Sequence, residues 1–404
     1  MDNQWSFIPA ALSLRTPRLT PAERCAVAPR RALMTVAALA ALAAWLAPLS
    51  ACALFDRNIE VTGRAWPLKA SDGFDLWACR MAIKGREVNN SRAIVFYAQG
   101  SEDVSLFHSM DALAGFCEMN APVYGVERRG VSPGAPDAPV DHAAALKYAT
   151  FQTRVADSRQ VLAWARAQHP SQGNSKTPVL LMGASEGGDV ISAVAAAEKD
   201  IAGVVLLGSG GGWTQEEEFR HFIKTRGEAF GLRTTEQLDA AVAHIRAHPD
   251  SDELWLGHPL RRWSTFMFRK SADDLLKVDA PILLIQGAAD DSVPIESARA
   301  LKDLFTKAGK TNLTLVEIEN ADHRFMDTKS GINKRPLVEL AMVAWLRDRN
   351  MLSETEAALF EARVRKAHPE VFENAAALVP SEKGSTEKTP SEPASTEPSP
   401  PRVP

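Results

Sequence analysis

Val179-Leu180-Leu181-Met182-Gly183-Ala184-Ser185-Glu186-Gly187-Gly188 decides how this chain folds. Four apolar residues lead into a Gly-x-Ser-x-Gly string, and a stretch rich in small residues, Asp189 to Ala197, follows it. That layout predicts a buried strand turning sharply into a helix. The string alone carries little, because a chain with this much glycine can show one by chance. Its flanks give it meaning. A turn this tight holds the serine in a strained conformation with its Oγ exposed, and a Cβ on either flanking glycine would collide with the adjoining strand and helix. The helix N-terminus beneath the serine favours developing negative charge. Ser185 is therefore the candidate nucleophile.

Outward from this turn, short apolar runs alternate with helical patterns. The predicted strands are Ala93–Ala98, Pro122–Val126, Pro178–Gly183, Gly203–Leu207, Pro281–Gln286 and Leu313–Ile318. Their continuous apolar character suits a parallel sheet covered on both faces. Two β-rich segments around Ser71-Asp72-Gly73 add a leading antiparallel hairpin. The expected fold is α/β: a mostly parallel, doubly wound sheet of about eight strands with that hairpin in front. The longest helix is predicted from about Ala143 to Gln168. Residues 53–212 and 279–350 form the core. Between them, 213–278 breaks the rhythm as a helical insertion, expected to cap the sheet's carboxyl edge. Ser353-Glu354-Thr355-Glu356 is a capping box opening a C-terminal helix within 351–379, and 380–404 is too polar and proline-rich to bury anything.

A serine hydroxyl needs a base, and the base an orienting acid. The strand Ile282–Gln286 runs into Gly287-Ala288-Ala289-Asp290-Asp291-Ser292-Val293-Pro294, and Leu313–Ile318 runs into Glu319-Asn320-Ala321-Asp322-His323. These strings, after the elbow and in that order, resemble the α/β-hydrolase superfamily over roughly Ile59 to Leu346. The resemblance implies Asp290 as acid and His323 as base, with Asp291 the rival acid and Asp322 a turn residue. It also implies an oxyanion hole made by the backbone N–H of Glu186 and that of Ser101, although Gln99-Gly100 stands where the family usually has His-Gly. Glu127-Arg128-Arg129-Gly130 resembles the family's D-x-R-G turn, whose Arg braces the oxyanion loop; a plain surface turn fits the same residues. His108, His142 and His169 lie in or beside helices and are expected to be solvated.

A serine at the elbow implies ester, thioester or amide substrates cleaved through an acyl-enzyme, as in a carboxylesterase or peptidase-like hydrolase. An acyltransferase would use the same residues, and a non-catalytic envelope lipoprotein is the remaining alternative. Trp213, Trp255, Trp263, Phe266 and Phe268 could line an acyl pocket, but a small core of the insertion itself is the favoured reading.

Residues 1–52 read as an address. Arg30 and Arg31 precede the apolar run Ala32 to Ala47, and Leu49-Ser50-Ala51-Cys52 resembles the lipobox of bacterial lipoproteins, which implies lipidation at Cys52. An uncleaved anchor is the rival reading, since ~20 apolar residues span a bilayer. Either way the protein is expected to be exported and held at the membrane of a bacterial envelope. The net charge of -4, without a basic run, argues against a nucleic-acid partner. The four cysteines show no metal-ligand spacing, so no metal or cofactor is expected. Cys79 and Cys117 could pair with each other or remain buried thiols.

Overall fold

A computed structural model describes residues 61–85, 93–109, 113, 115–117, 121–134, 139–169 and 177–372. The address segment with Cys52 and the proline-rich tail lie outside these residues. Among the described residues no helix is long and apolar enough to cross a membrane. The main sheet has eight strands in the order β1-β2-β4-β3-β5-β6-β9-β10. The hairpin β1 (Val61–Lys69) and β2 (Asp75–Ile83) is antiparallel, in register from Val61 opposite Ile83 to Lys69 opposite Asp75. β2 also runs antiparallel to β4 (Val123–Val126), which pairs in parallel with β3 (Ile94–Ala98). Every residue of β3 is buried. That is why this strand reads as a continuous apolar run. The chain divides into two compact units, residues 1–181 and 182–404.

In the first unit, the long helix expected from about Ala143 to Gln168 is two helices, α1 (His142–Lys147) and α2 (Phe151–Ala167). Thr150 divides them. Its backbone is extended and its side-chain oxygen accepts the Thr153 N–H, so it starts a new helix instead of continuing the old one. His169 also departs from expectation. It is buried, 2.7 Å from the Tyr124 hydroxyl, and burial pushes its pKa down to about 4. The ring is neutral and structural. His108 and His142 are exposed, as expected. Cys79 and Cys117 are buried thiols that form no disulfide with each other, and burial beside Glu127 pushes the Cys79 thiol up, away from the reactive thiolate.

Glu127-Arg128-Arg129 is no surface turn. Arg129 donates to both Asp157 oxygens at 2.8 Å and to Asp72 at 2.6 Å, with Phe74 and Tyr148 rings against its guanidinium. The contact with the Gln99–Ser101 loop comes instead from Arg128, which donates to the Ser101 carbonyl and pairs with Asp103 at 3.0 Å. Arg154 on α2 takes the Gln99 and Gly100 carbonyls, at 2.7 and 3.3 Å. Three successive carbonyls are thus held by two guanidinium groups, which fixes the backbone around Ser101.

Glu127 accepts from the Ser105 hydroxyl at 2.6 Å and the Leu106 N–H at 2.8 Å, yet burial raises its pKa from 4.5 to about 7. Between those values the folded chain holds a proton that the unfolded chain has released, so this group's contribution falls as pH rises through the window. Glu127→Gln keeps the shape and removes the titration. Its thermal midpoint relative to the parent is expected to rise by several degrees from pH 5 to pH 8; a constant difference across that range would contradict the assignment.

The second unit continues from the end of β5 (Val179–Ala184) into α3 (Glu186–Ala197) and β6 (Gly203–Leu207). β6 pairs in parallel with β9 (Ile282–Gly287), and β9 with β10 (Leu313–Ile318). Helices α8 (Ile295–Lys307), α9 (Arg335–Arg347), α10 (Glu354–Ala367) and α11 (Pro369–Phe372) complete it. The Ser353/Glu356 capping box at α10 is formed in both directions. Residues between β6 and β9 form α4 (Gln215–Arg226), α5 (Thr235–Ala247), the short hairpin β7 (Leu254–Trp255) and β8 (His258–Pro259), α6 (Leu260–Phe266) and α7 (Ala272–Leu275). Phe219, Phe222, Leu238, Ile245, Trp263 and Met267 pack together there, with Trp255 and Phe268 against them. The insertion's aromatic residues chiefly build its own core.

Candidate active site

The elbow is built as its sequence predicts. Ser185 lies between β5 and α3 with φ 51° and ψ -129°. A left-handed φ on a residue with a side chain costs about 1–2 kcal/mol and persists only where the surroundings dictate it. Here the backbone dictates it. The Ser185 N–H donates to the Leu207 carbonyl on β6 at 2.8 Å, and the Gly188 N–H donates to the Ser185 carbonyl at 2.8 Å. A Cβ on Gly183 would lie 2.4 Å from the Gly187 carbonyl oxygen, so any side chain there would force the turn open. Glu186 is the first residue of α3, and its N–H lies at the positive end of that helix.

Asp290 and His323 leave the ends of β9 and β10, which are neighbours in parallel register. Their loops touch through glycine: a Cβ on Gly287 would lie 2.4 Å from the Ala321 carbonyl oxygen, which accepts the Ala289 N–H at 2.9 Å. His323 Nε2 is 3.0 Å from Ser185 Oγ, and its Nδ1 is 2.9 and 3.1 Å from the Asp290 oxygens. The Asp290 carboxylate is 0% exposed and the His323 side chain 22%. The Asp290 carboxylate is therefore shielded from water, while the His323 ring reaches a partly exposed Ser185. Asp290 Oδ1 accepts the Ser292 and Val293 N–H groups, both at 2.8 Å. Asp291 is exposed. Asp322 accepts the Arg324 and Met326 N–H groups and so shapes the turn bearing His323.

Several partners were not read from the sequence. Gln286, inside a fully buried strand, donates its Nε2 to Asp290 Oδ2 at 2.7 Å. A single amide directly after the apolar run Ile282–Ile285, still inside the strand, is the signal that could have flagged it. Arg226, at the end of α4, donates to the Asp290 carbonyl at 2.8 Å. Arg262 on α6 pairs with Glu186. Nothing local in the sequence announces either arginine. Among the described residues no three or more His, Cys, Asp or Glu side chains are grouped to hold a metal ion.

Residues 89–329 match the family described as serine aminopeptidase, S33. No curated protein is significantly similar in sequence. Among solved structures, Est1E from Butyrivibrio proteoclasticus with ferulic acid bound is similar at a TM-score of 0.51 and 18% identity, over 71% of this chain and 100% of that one. A puromycin-hydrolyzing peptidase from Mycobacterium tuberculosis aligns at 0.48 and 16% identity, over 72% of this chain and 39% of that one. A Pyrococcus furiosus esterase aligns at 0.46 and 15%, over 71% and 91%. At these identities the likeness to Est1E concerns the fold, and the two weaker alignments carry no argument.

Proposed function

The chain belongs to the serine aminopeptidase family, S33, an α/β-hydrolase family, and from that footing we propose that it cleaves an ester or amide through an acyl-enzyme on Ser185. The observation that carries this reading is the continuous path from Asp290 through the His323 ring to Ser185 Oγ, with 2.9 Å and 3.0 Å at its two links.

In the proposed reaction, His323 Nε2 takes the Ser185 proton as Oγ bonds to the substrate carbonyl carbon, and Asp290 holds Nδ1–H and stabilises the resulting imidazolium. The carbonyl oxygen becomes an oxyanion, received by the Glu186 N–H. For Ser101 as second donor the support is the sequence resemblance. His323 then protonates the leaving alcohol or amine, the C–O or C–N bond breaks, and the acyl group stays on Oγ. Water, deprotonated by the same ring, reverses the sequence and frees the acid.

The description of the family points to amide bonds, while a serine nucleophile activated by a base serves esters equally. The useful experiment therefore offers both bonds. Purified protein is to be assayed with p-nitrophenyl esters of graded chain length and with aminoacyl-naphthylamides. Hydrolysis of either supports the reading, with the preference assigning the bond; turnover of neither would count against it. Transfer of the acyl group to an added alcohol or amine in preference to water would instead mark an acyltransferase. Export and lipidation at Cys52 belong to the same proposal and rest on the sequence of residues 30–52. Cys52→Ser is expected to abolish incorporation of labelled palmitate in a bacterial host.

A further inference from the structure

The residue after the proposed nucleophile is a buried acid. The Glu186 side chain is 2% exposed and faces the Arg262 guanidinium, itself 5% exposed. Arg262 Nε donates to Glu186 Oε2 at 2.7 Å, and Nη2 reaches the same oxygen. The guanidinium lies over the rings of Trp263 and Phe266, 4.1 and 5.4 Å from their centres. Its Nη1 is buried without a hydrogen-bond partner among the described residues. Apolar walls and one unused nitrogen make Glu186 the side chain that this cation serves. Burying an ion pair is expensive, and an apolar pair of similar volume is often as stable, so stability alone does not account for it.

The neighbouring titratable groups are mostly carboxyls that burial holds towards their neutral form, with Arg269 the other cation nearby. Asp189, one turn along α3, accepts from the Ser271 hydroxyl at 2.5 Å, and burial raises its pKa to about 6, with Glu186 adding to the rise and Arg262 and Arg269 opposing it. Glu218 of α4 is buried beside Ser297 of α8, and burial holds it well above the ordinary carboxyl range. A Glu186 carboxylate deprived of Arg262 would add negative charge one residue from Ser185, where the reaction develops more. At the effective dielectric of a protein site, two unit charges a few ångströms apart repel enough to slow a reaction on the order of a hundredfold.

We propose that Arg262 is a positioning residue for the reaction at Ser185: it neutralises the Glu186 carboxylate beside the developing oxyanion and fixes the residue whose N–H receives it. This rests on Ser185 being the nucleophile. Arg262 is then part of the catalytic electrostatics although it lies on the helical insertion, 76 residues along the chain from Glu186. The charge matters in the transition state and little in the bound ground state, so its loss should appear in kcat.

The test uses the full chain, with p-nitrophenyl acetate as probe, and compares R262M with the double variant E186Q/R262M. R262M is expected to lower kcat about a hundredfold with KM within about threefold of the parent. Removing the stranded acid as well should restore at least tenfold of that loss. A merely structural tie predicts no such rescue, and a double variant as slow as R262M would overturn the proposal. So would R262M with parental kcat. If R262M does not fold, the double variant decides: kcat within about tenfold of the parent supports the role, and a hundredfold loss overturns it. Ser185→Ala in the same assay separates the two ideas, because hydrolysis retained there would remove the nucleophile reading itself.

Discussion

Ser185→Ala is expected to lower kcat by about 10^4-fold or more, with a thermal midpoint within a few degrees of the parent. The magnitude follows from what is removed. Without Oγ no acyl-enzyme forms, and His323 loses the hydroxyl 3.0 Å from Nε2 from which it takes a proton. The fold should barely notice. The elbow is held by backbone bonds to Leu207 and Gly188 and by the close approach of Gly183 to Gly187, none of which involves the serine hydroxyl. Measuring kcat and a melting curve on the same preparation separates loss of chemistry from loss of structure. An inactive variant that has also unfolded would say nothing about the nucleophile, and an active one would remove it.

Asp290→Asn should cost about 10^4-fold at neutral pH, again with the fold retained. With the Asn oxygen accepting the Ser292 and Val293 N–H groups, its amide nitrogen would stand where Oδ2 is now. That nitrogen would face two donors, Gln286 Nε2 and His323 Nδ1. The ring can relieve the second conflict only by moving its proton from Nδ1 to Nε2. It would then point a proton at Ser185 and could no longer take one. Asp291→Asn is the matched control, because that side chain is exposed. Its kcat is expected to stay within about threefold of the parent. If Asp291→Asn were the damaging change, the acid would have to be reassigned.

The parts of this chain that were legible in the sequence share a physical cause. Strands buried on both faces must be apolar throughout, so β3, β5, β6 and β9 announce themselves. The elbow needs small residues at fixed offsets, and the loops after β9 and β10 carry short strings whose order matches the fold. Capping boxes are local as well, which is why Ser353 was readable.

What escaped is long-range or depends on a choice between similar options. The apolar spacing from Ala143 to Gln168 runs through Thr150 without interruption, and only the hydroxyl's hydrogen bond to Thr153 shows that the helix restarts there. His169 looks like a surface residue after a helix until Tyr124, 45 positions earlier, supplies a buried partner. In Glu127-Arg128-Arg129 the family pattern points to the second arginine, but that side chain is committed to Asp157 and Asp72, so its neighbour and Arg154 reach the Gln99–Ser101 loop. Arg226 and Arg262 lie in an insertion whose own periodicity concerns its aromatic core. Their contacts with the Asp290 carbonyl and with Glu186 depend on how that insertion docks, and no local pattern encodes docking.

One experiment bears on the chemistry without requiring a substrate. The full chain is treated with a fluorophosphonate, digested, and the modified peptide located by mass spectrometry. The chemistry proposed for Ser185 predicts a single adduct on the serine of Gly183-Ala184-Ser185-Glu186-Gly187, absent from Ser185→Ala and formed far more slowly by Asp290→Asn. An unmodified Ser185 in folded protein, or an adduct on another residue that alone accompanies loss of hydrolysis, would contradict it.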